Sequence, residues 1–286
     1  MRDITNSMFT INTYGGSETK KTCYIEGEKY MVKFPDPVRE NNKDISYVNN
    51  QYSEYISCKI FELFGIDVQK TELVKCFIDG KEKIAVMCED FLNDDEMLIE
   101  FKTLSYSLST EKIYTNELSD IFDMVKELDT LTDKNEFEDK FWDIFIVDTL
   151  IGNVDRHLGN WGIVAKFNTS KLSPVYDCGS ALHPLLSEIE IKELLKNREL
   201  KNISINLKTA YKLNGTTLNY LDIYKNMPEK LKNSLKRMYS KINLDAIKNI
   251  IYSTPALTDE MKEFYYKTIE IRKNEIIDKY YKEINI

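Results

Sequence analysis

The sequence predicts an α+β fold of two lobes: a small antiparallel-sheet lobe with one helix over residues 1–92, and a larger helical lobe over residues 93–286. Three observations predict it. In the first ninety residues, short β-prone runs alternate with glycine turns. From about Met97 onward, apolar residues recur at helical spacing. The polar run EDFLNDDE lies at the changeover.

The elements follow in order. FTINTY, KTCYI and KYMVKF read as strands, the first two joined across Gly15 and Gly16 and the last two across Glu26-Gly27-Glu28. A helix is expected from about Val48 to Phe64, because Tyr52, Ile56, Ile60 and Leu63 share one helical face and Gly65 supplies a C-terminal stop. ELVKCFI and KIAVMC flank an Asp79-Gly80 hairpin turn. Beyond Met97 the reading is helical, apart from strand-like stretches around WGIVAKF and SPVYDCG. Phe137, Phe141, Ile144, Phe145 and Ile151 mark an apolar-faced helix, and the last seventy residues read as amphipathic helices with solvated charges.

Composition narrows the classes of function. A chain of 286 residues with 42% hydrophobic and 30% charged residues can bury an ample core. Its net charge of -8 argues against direct nucleic-acid binding through a broad basic surface. No apolar run reaches membrane-spanning length, and MRDITNSMFT lacks a signal-peptide pattern. A cytoplasmic protein is expected, although export by a specialised apparatus needs no such signal. Five cysteines scattered singly, with no CxxC pair, read as reduced buried thiols. With only two histidines besides, a structural zinc is not expected, and a metal would be Mg2+ on oxygen ligands.

The most informative stretch is GNVDRHLGNWG, at the end of the apolar helix. Asp155 and Asn160 lie five residues apart in a loop, near enough to converge. A carboxylate there can orient or deprotonate an attacking hydroxyl, and a carboxamide oxygen can bind Mg2+. Asp177, in Tyr176-Asp177-Cys178-Gly179, adds a second carboxylate that Mg2+ can bridge to phosphates. Each of these residues alone is more often a cap or turn residue. Asp-Arg-His-x-x-Asn arises by chance in roughly one chain of this length in several hundred, so its surroundings decide.

Those surroundings fit phosphoryl transfer. Gly15, Gly16 and Ser17 can bring backbone N–H groups to phosphate, with Lys20 adding charge, though a plain hairpin turn explains them equally well. Lys33 can point from its strand toward the phosphates or snorkel to water. Glu54 is its natural ion-pair partner. Glu89 to Phe91 end the last sheet strand, where backbone groups can meet an adenine edge.

Together these positions resemble the HipA-like serine/threonine kinase family, in particular its compact members. Gly16 with Lys20, Lys33, Glu54, Glu89 to Phe91, GNVDRHLGN and Asp177 run in the family's order over about residues 13 to 180. The resemblance implies a protein-kinase-like bilobal fold, ATP and Mg2+ as co-substrates, and transfer to Ser or Thr of a protein. Asp155 is implied as catalytic base, Asn160 and Asp177 as Mg2+ ligands, and Lys33 as phosphate anchor. His157 is implied to structure the loop or assist, since the loop is also similar to that of phosphatidylinositol kinases.

The sequence starts almost at the Gly-containing loop, so the extra N-terminal subdomain of larger HipA toxins is not expected. Such a kinase acts alone or with a separately encoded antitoxin or regulatory protein. Self-phosphorylation within the Gly-containing loop is implied, at Thr13 or Ser17. Two other readings stay open: a nucleotide-binding pseudokinase that serves as an interaction module, and a small-molecule phosphotransferase.

Overall fold

A computed structural model describes residues 1–10, 20–35, 48–78, 80–109 and 112–284. The chain divides into two compact units. The first comprises Met1–Phe91, Asp177–Arg198 and Leu244–Lys267; the second comprises Leu92–Tyr176, Glu199–Asn243 and Thr268–Ile286.

The first unit is built on strands β1 (Arg2–Asp3), β2 (Met8–Thr10), β3 (Lys20–Ile25), β4 (Glu28–Lys33), β5 (Thr71–Ile78) and β6 (Lys81–Glu89). They form one sheet in the order β1-β5-β6-β4-β3-β2, antiparallel except for the parallel β1–β5 edge. Ile25 pairs with Glu28, leaving a two-residue turn whose Glu26 and Gly27 both take positive φ. That turn geometry suits the natural strand twist, so the register of Lys33 opposite Lys20 follows from it. Alternating residues Cys23, Val32, Val74, Cys76, Ala85 and Met87 join Ile4 and Phe34 in a core on one face.

Helix α1 (Asn50–Leu63) packs against β5 and β6. It ends in a Schellman arrangement: Gly65 N–H donates to the Glu62 carbonyl (3.0 Å), and Ile66 N–H donates to Phe61 (3.1 Å). Gly65 holds φ +71 there, which a residue with a Cβ resists. Tyr52, Ile56 and Ile60 are buried as expected, but Leu63 is exposed, because the Schellman turn carries the chain away at that point. Helices Glu188–Leu194 and Leu244–Ser253 also belong to this unit, and the second of them packs on α1.

The second unit contains β7 (Met97–Glu100), α2 (Phe101–Ser107), α3 (Leu118–Lys126), α4 (Phe137–Ile151), β8 (Gly162–Lys166), β9 (Thr169–Leu172), β10 (Lys208–Leu213) and β11 (Thr216–Asn219). Further helices follow, Glu229–Tyr239 packing on α4. An aromatic core surrounds α4: Phe101, Phe137, Phe141 and Trp161 contact one another with centroid separations of 4.8–6.3 Å.

Three expectations of secondary structure are corrected here. Met97 opens strand β7 rather than helix, because its partner β8 lies some sixty residues away and leaves no local signal. Ser173–Gly179 forms no strand beyond an isolated bridge at Val175; Pro174 lacks an amide donor, and the strand lies earlier, at Thr169–Leu172. The hairpin β10–β11 also departs from the helical reading. Its turn is Asn214-Gly215, both at positive φ, a strong hairpin signal that the helical periodicity around it masked.

Candidate active site

The loop after α4 is held from below. Asp148 is an acid in an otherwise apolar stretch of α4, fully buried and paired with Arg156 through two bonds, Nε to Oδ2 (3.0 Å) and Nη2 to Oδ1 (3.1 Å). The remaining Arg156 nitrogen, Nη1, donates to the carbonyls of Asn160 (3.0 Å) and Tyr176 (2.7 Å). One guanidinium therefore ties together the end of α4, the end of the loop and the residue before Asp177. The planar five-donor fork is the only side chain that can do this.

The entrance to the loop is equally specified. Gly152 ends α4 at φ +68, and a Cβ there would lie 2.8 Å from Leu207 and 2.9 Å from Arg272. Arg272 is buried and donates through Nε to the Leu150 carbonyl (2.7 Å), and burial pulls its guanidinium down to about 9. The Tyr220 hydroxyl donates to the Asn153 carbonyl. Burial, with Asp148 nearby, holds that phenol well above its usual pKa, so it remains a donor. Gly152→Ala is expected to cost about 1–3 kcal/mol in a urea melt, from positive φ and overlap together; a loss below about 0.5 kcal/mol would contradict this account.

Within this frame Asn160 donates through Nδ2 to the Asp155 carbonyl (2.6 Å), and Nδ2 lies 3.5 Å from Asp155 Oδ2. The two residues foreseen to converge do so. Asp155 and His157 are 44% and 39% exposed, with Nε2 of His157 at 3.8 Å from Asp155 Oδ1. The Gly159 amide donates to His157 Nδ1 (2.9 Å), so a neutral ring carries its proton on Nε2, the nitrogen nearer Asp155.

In the first unit Lys33 is 1% exposed, with its ammonium between two carboxylates: Glu54 Oε2 at 2.8 Å and Asp177 Oδ1 at 2.6 Å. Glu54 is fully buried, and its other oxygen accepts the Cys178 amide (3.0 Å). Asp177 remains 29% exposed and adopts φ +57, a left-handed conformation unusual outside glycine. Lys33 thus does not snorkel; it joins β4, α1 and the Asp177 segment. Its cross-strand partner is Lys20.

Other predicted positions lie elsewhere. Glu89 pairs with Tyr30, three places along β6 from Val86, which faces Lys33. Its amide donates to Lys70 (2.9 Å), its carbonyl accepts from Gln69 (2.9 Å), and the Asp90 amide donates to Lys29 (3.1 Å). Phe91 follows at the last residue of the first unit. Gly15, Gly16, Ser17 and Thr13 lie outside the described residues. A cavity of about 780 Å³ between the end of α1 and the sheet includes Glu89 but none of Lys33, Glu54 or Asp177.

The sequence reading missed Asp148, Arg156 as a brace, Tyr220 and the surroundings of Cys178. A usable signal existed for the first pair. An acid inside FWDIFIVDTLI requires a buried cation, and Arg156 lies eight residues on. All five cysteines are buried thiols outside any disulfide, as expected. The Cys58 thiol is pushed well above its usual pKa by its hydrogen bond with Cys178 and by burial.

A sheet with one packed helix, a helical second unit and a lysine–glutamate pair beside an Asp-x-Gly segment define the class as a kinase of α+β, protein-kinase-like fold. The chain belongs to the HipA-like C-terminal domain family, whose sequence profile matches residues 13–244. It is 32% identical to the serine/threonine-protein kinase CtkA of Helicobacter pylori over 274 residues, covering 93% of this chain and 82% of that one. Its structure resembles the crystal structure of the H. pylori proinflammatory kinase CtkA with a TM-score of 0.87 at 30% identity, over 98% and 97% of the two chains. HipA of Shewanella oneidensis, solved with HipB and operator DNA, shares the fold with a TM-score of 0.56 at 14% identity, over 95% of this chain and 67% of that one. No helix among the described residues is long and apolar enough to cross a membrane.

Proposed function

We propose that this chain transfers the γ-phosphate of ATP to Ser or Thr hydroxyls of a protein, and to itself, in a Mg2+-dependent reaction. The observation that supports this most is the buried Lys33 ammonium shared by Glu54 and Asp177. A buried ion pair of this kind is a poor device for stability, yet it is the arrangement that fixes a phosphate-binding cation in protein kinases.

The remaining roles follow from the donors available. Asn160 commits its nitrogen to Asp155, which leaves the carboxamide oxygen for a cation. That oxygen and the Asp177 carboxylate are the donors proposed for Mg2+, a hard cation that takes oxygen ligands. Bound Mg2+ would neutralise charge on the phosphates. Asp155, partly exposed and with its backbone carbonyl held by Asn160, accepts the substrate proton; His157 orders the loop through Gly159. Lys33 and Lys20 supply positive charge to the phosphates, and the Phe91 backbone is the hinge group for adenine. Self-phosphorylation falls on Thr13 or Ser17. The protein works in the cytoplasm, alone or with a separately encoded regulatory partner.

Intact-mass spectrometry after incubation with Mg-ATP tests this reading. Wild-type protein is expected to gain phosphate, and Asp155→Ala protein to gain none in the same time. An unmodified wild type that binds nucleotide without turnover would make it a binding module. Sustained ATP consumption driven by an aminoglycoside, sugar or nucleoside would make it a small-molecule phosphotransferase.

A further inference from the structure

Three donors outside the proposed Mg2+ set meet behind Lys33. Glu54 and Cys58 are four residues apart on α1 and so share one helical face, the spacing at which helices present paired metal ligands. Cys178, the residue after Asp177, comes from a separate segment, and its amide is bonded to Glu54 Oε1 at 3.0 Å. Cys58 Sγ lies 3.9 Å from the same oxygen. The three ligand atoms all lie within 4.8 Å of one another, and all three residues are buried.

We propose that Glu54, Cys58 and Cys178 form a binding site for a thiophilic divalent cation of the zinc and cadmium class. Three points no more than 4.8 Å apart lie within about 2.8 Å of a common centre. Zinc sits about 2.3 Å from thiolate sulfur and about 2.0–2.2 Å from carboxylate oxygen. The donors therefore close on an ion by well under 1 Å each, without a change of backbone.

Charge favours the same occupant. The ion displaces the two thiol protons to solvent, and the resulting thiolates neutralise its two charges, so binding leaves the balance between Lys33 and Glu54 as it was. Glu54 can serve both partners, with Oε2 on Lys33 and Oε1 on the side of the Cys58 sulfur. Two sulfur donors select against Mg2+, which takes oxygen. The bound ion would fasten α1 to the segment carrying Asp177, holding the Lys33–Glu54 pair in place.

The test uses purified wild-type protein titrated with Co2+, followed until absorbance stops changing, because the donors are buried and uptake requires α1 to open. Saturation at one equivalent is expected, with sulfur-to-cobalt charge transfer that Zn2+ abolishes and Mg2+ does not. Cys58→Ser and Cys178→Ser proteins are expected to lose that band, and Cys23→Ser to keep it. Should a variant fail to fold, X-ray absorption of the Cd2+-loaded wild type decides: two sulfur neighbours are expected. An oxygen-only shell, or a charge-transfer band that survives both substitutions, would overturn the proposal.

Discussion

Asp177→Asn is expected to lower the rate of phosphate transfer by about 10³-fold or more while leaving the fold intact. The carboxylate is proposed to hold Mg2+, whose charge stabilisation is worth several kcal/mol at about 1.4 kcal/mol per tenfold in rate. Asparagine is the informative replacement. It tolerates the φ of +57 better than alanine, so the backbone need not rearrange. Lys33 keeps Glu54 as a charged partner, so a thermal melt is expected to change little. A variant that retains a tenth of wild-type activity would remove Asp177 from the metal set.

The second large effect is structural. Among the described residues, Arg156→Ala leaves the buried Asp148 carboxylate with only the Asn153 side-chain nitrogen at 3.0 Å, and strips the carbonyls of Asn160 and Tyr176 of their common donor. Breaking a buried pair from one side costs about 3–5 kcal/mol, which for a chain of this size lowers the melting temperature by roughly 10 °C. Replacing both partners, as Asp148→Asn with Arg156→Gln, is expected to recover part of the loss, because no unpaired charge remains buried. Equal losses in the single and double variants, measured by urea denaturation, would show that the pair acts only through packing.

These two residues also show how far the sequence could be read. Asp155 and Asn160 were legible because their spacing is local: five residues apart in a loop after a glycine-stopped helix, they lie near enough to converge. Lys33 and Glu54 were legible as a pair because sheet lysines with a helix acid downstream form a recurrent phosphate-binding arrangement. Arg156 was visible as a motif residue but not as a brace, since its carbonyl partners carry no side-chain signature. The proposed hinge was legible only as a region. Backbone hydrogen bonds from Glu89 and Asp90 to Lys70 and Lys29 depend on neighbouring strands and leave no trace in residue identity.

By itself, the sequence determined the alternation of short strands and turns, the helix ahead of the loop, the kinase family, and which side chains to propose for phosphoryl transfer. Each depends on local periodicity or on a motif a few residues long. Only the tertiary structure decided that residues 177–198 and 244–267 belong to the unit that contains the sheet, and that β7 pairs with β8 across about sixty residues. The same holds for Cys58 and Cys178, 120 positions apart among five scattered thiols, which meet on one glutamate. Such contacts arise from the burial of apolar surface shared by distant segments, which is non-directional and sums over the whole chain. No short window of sequence contains it.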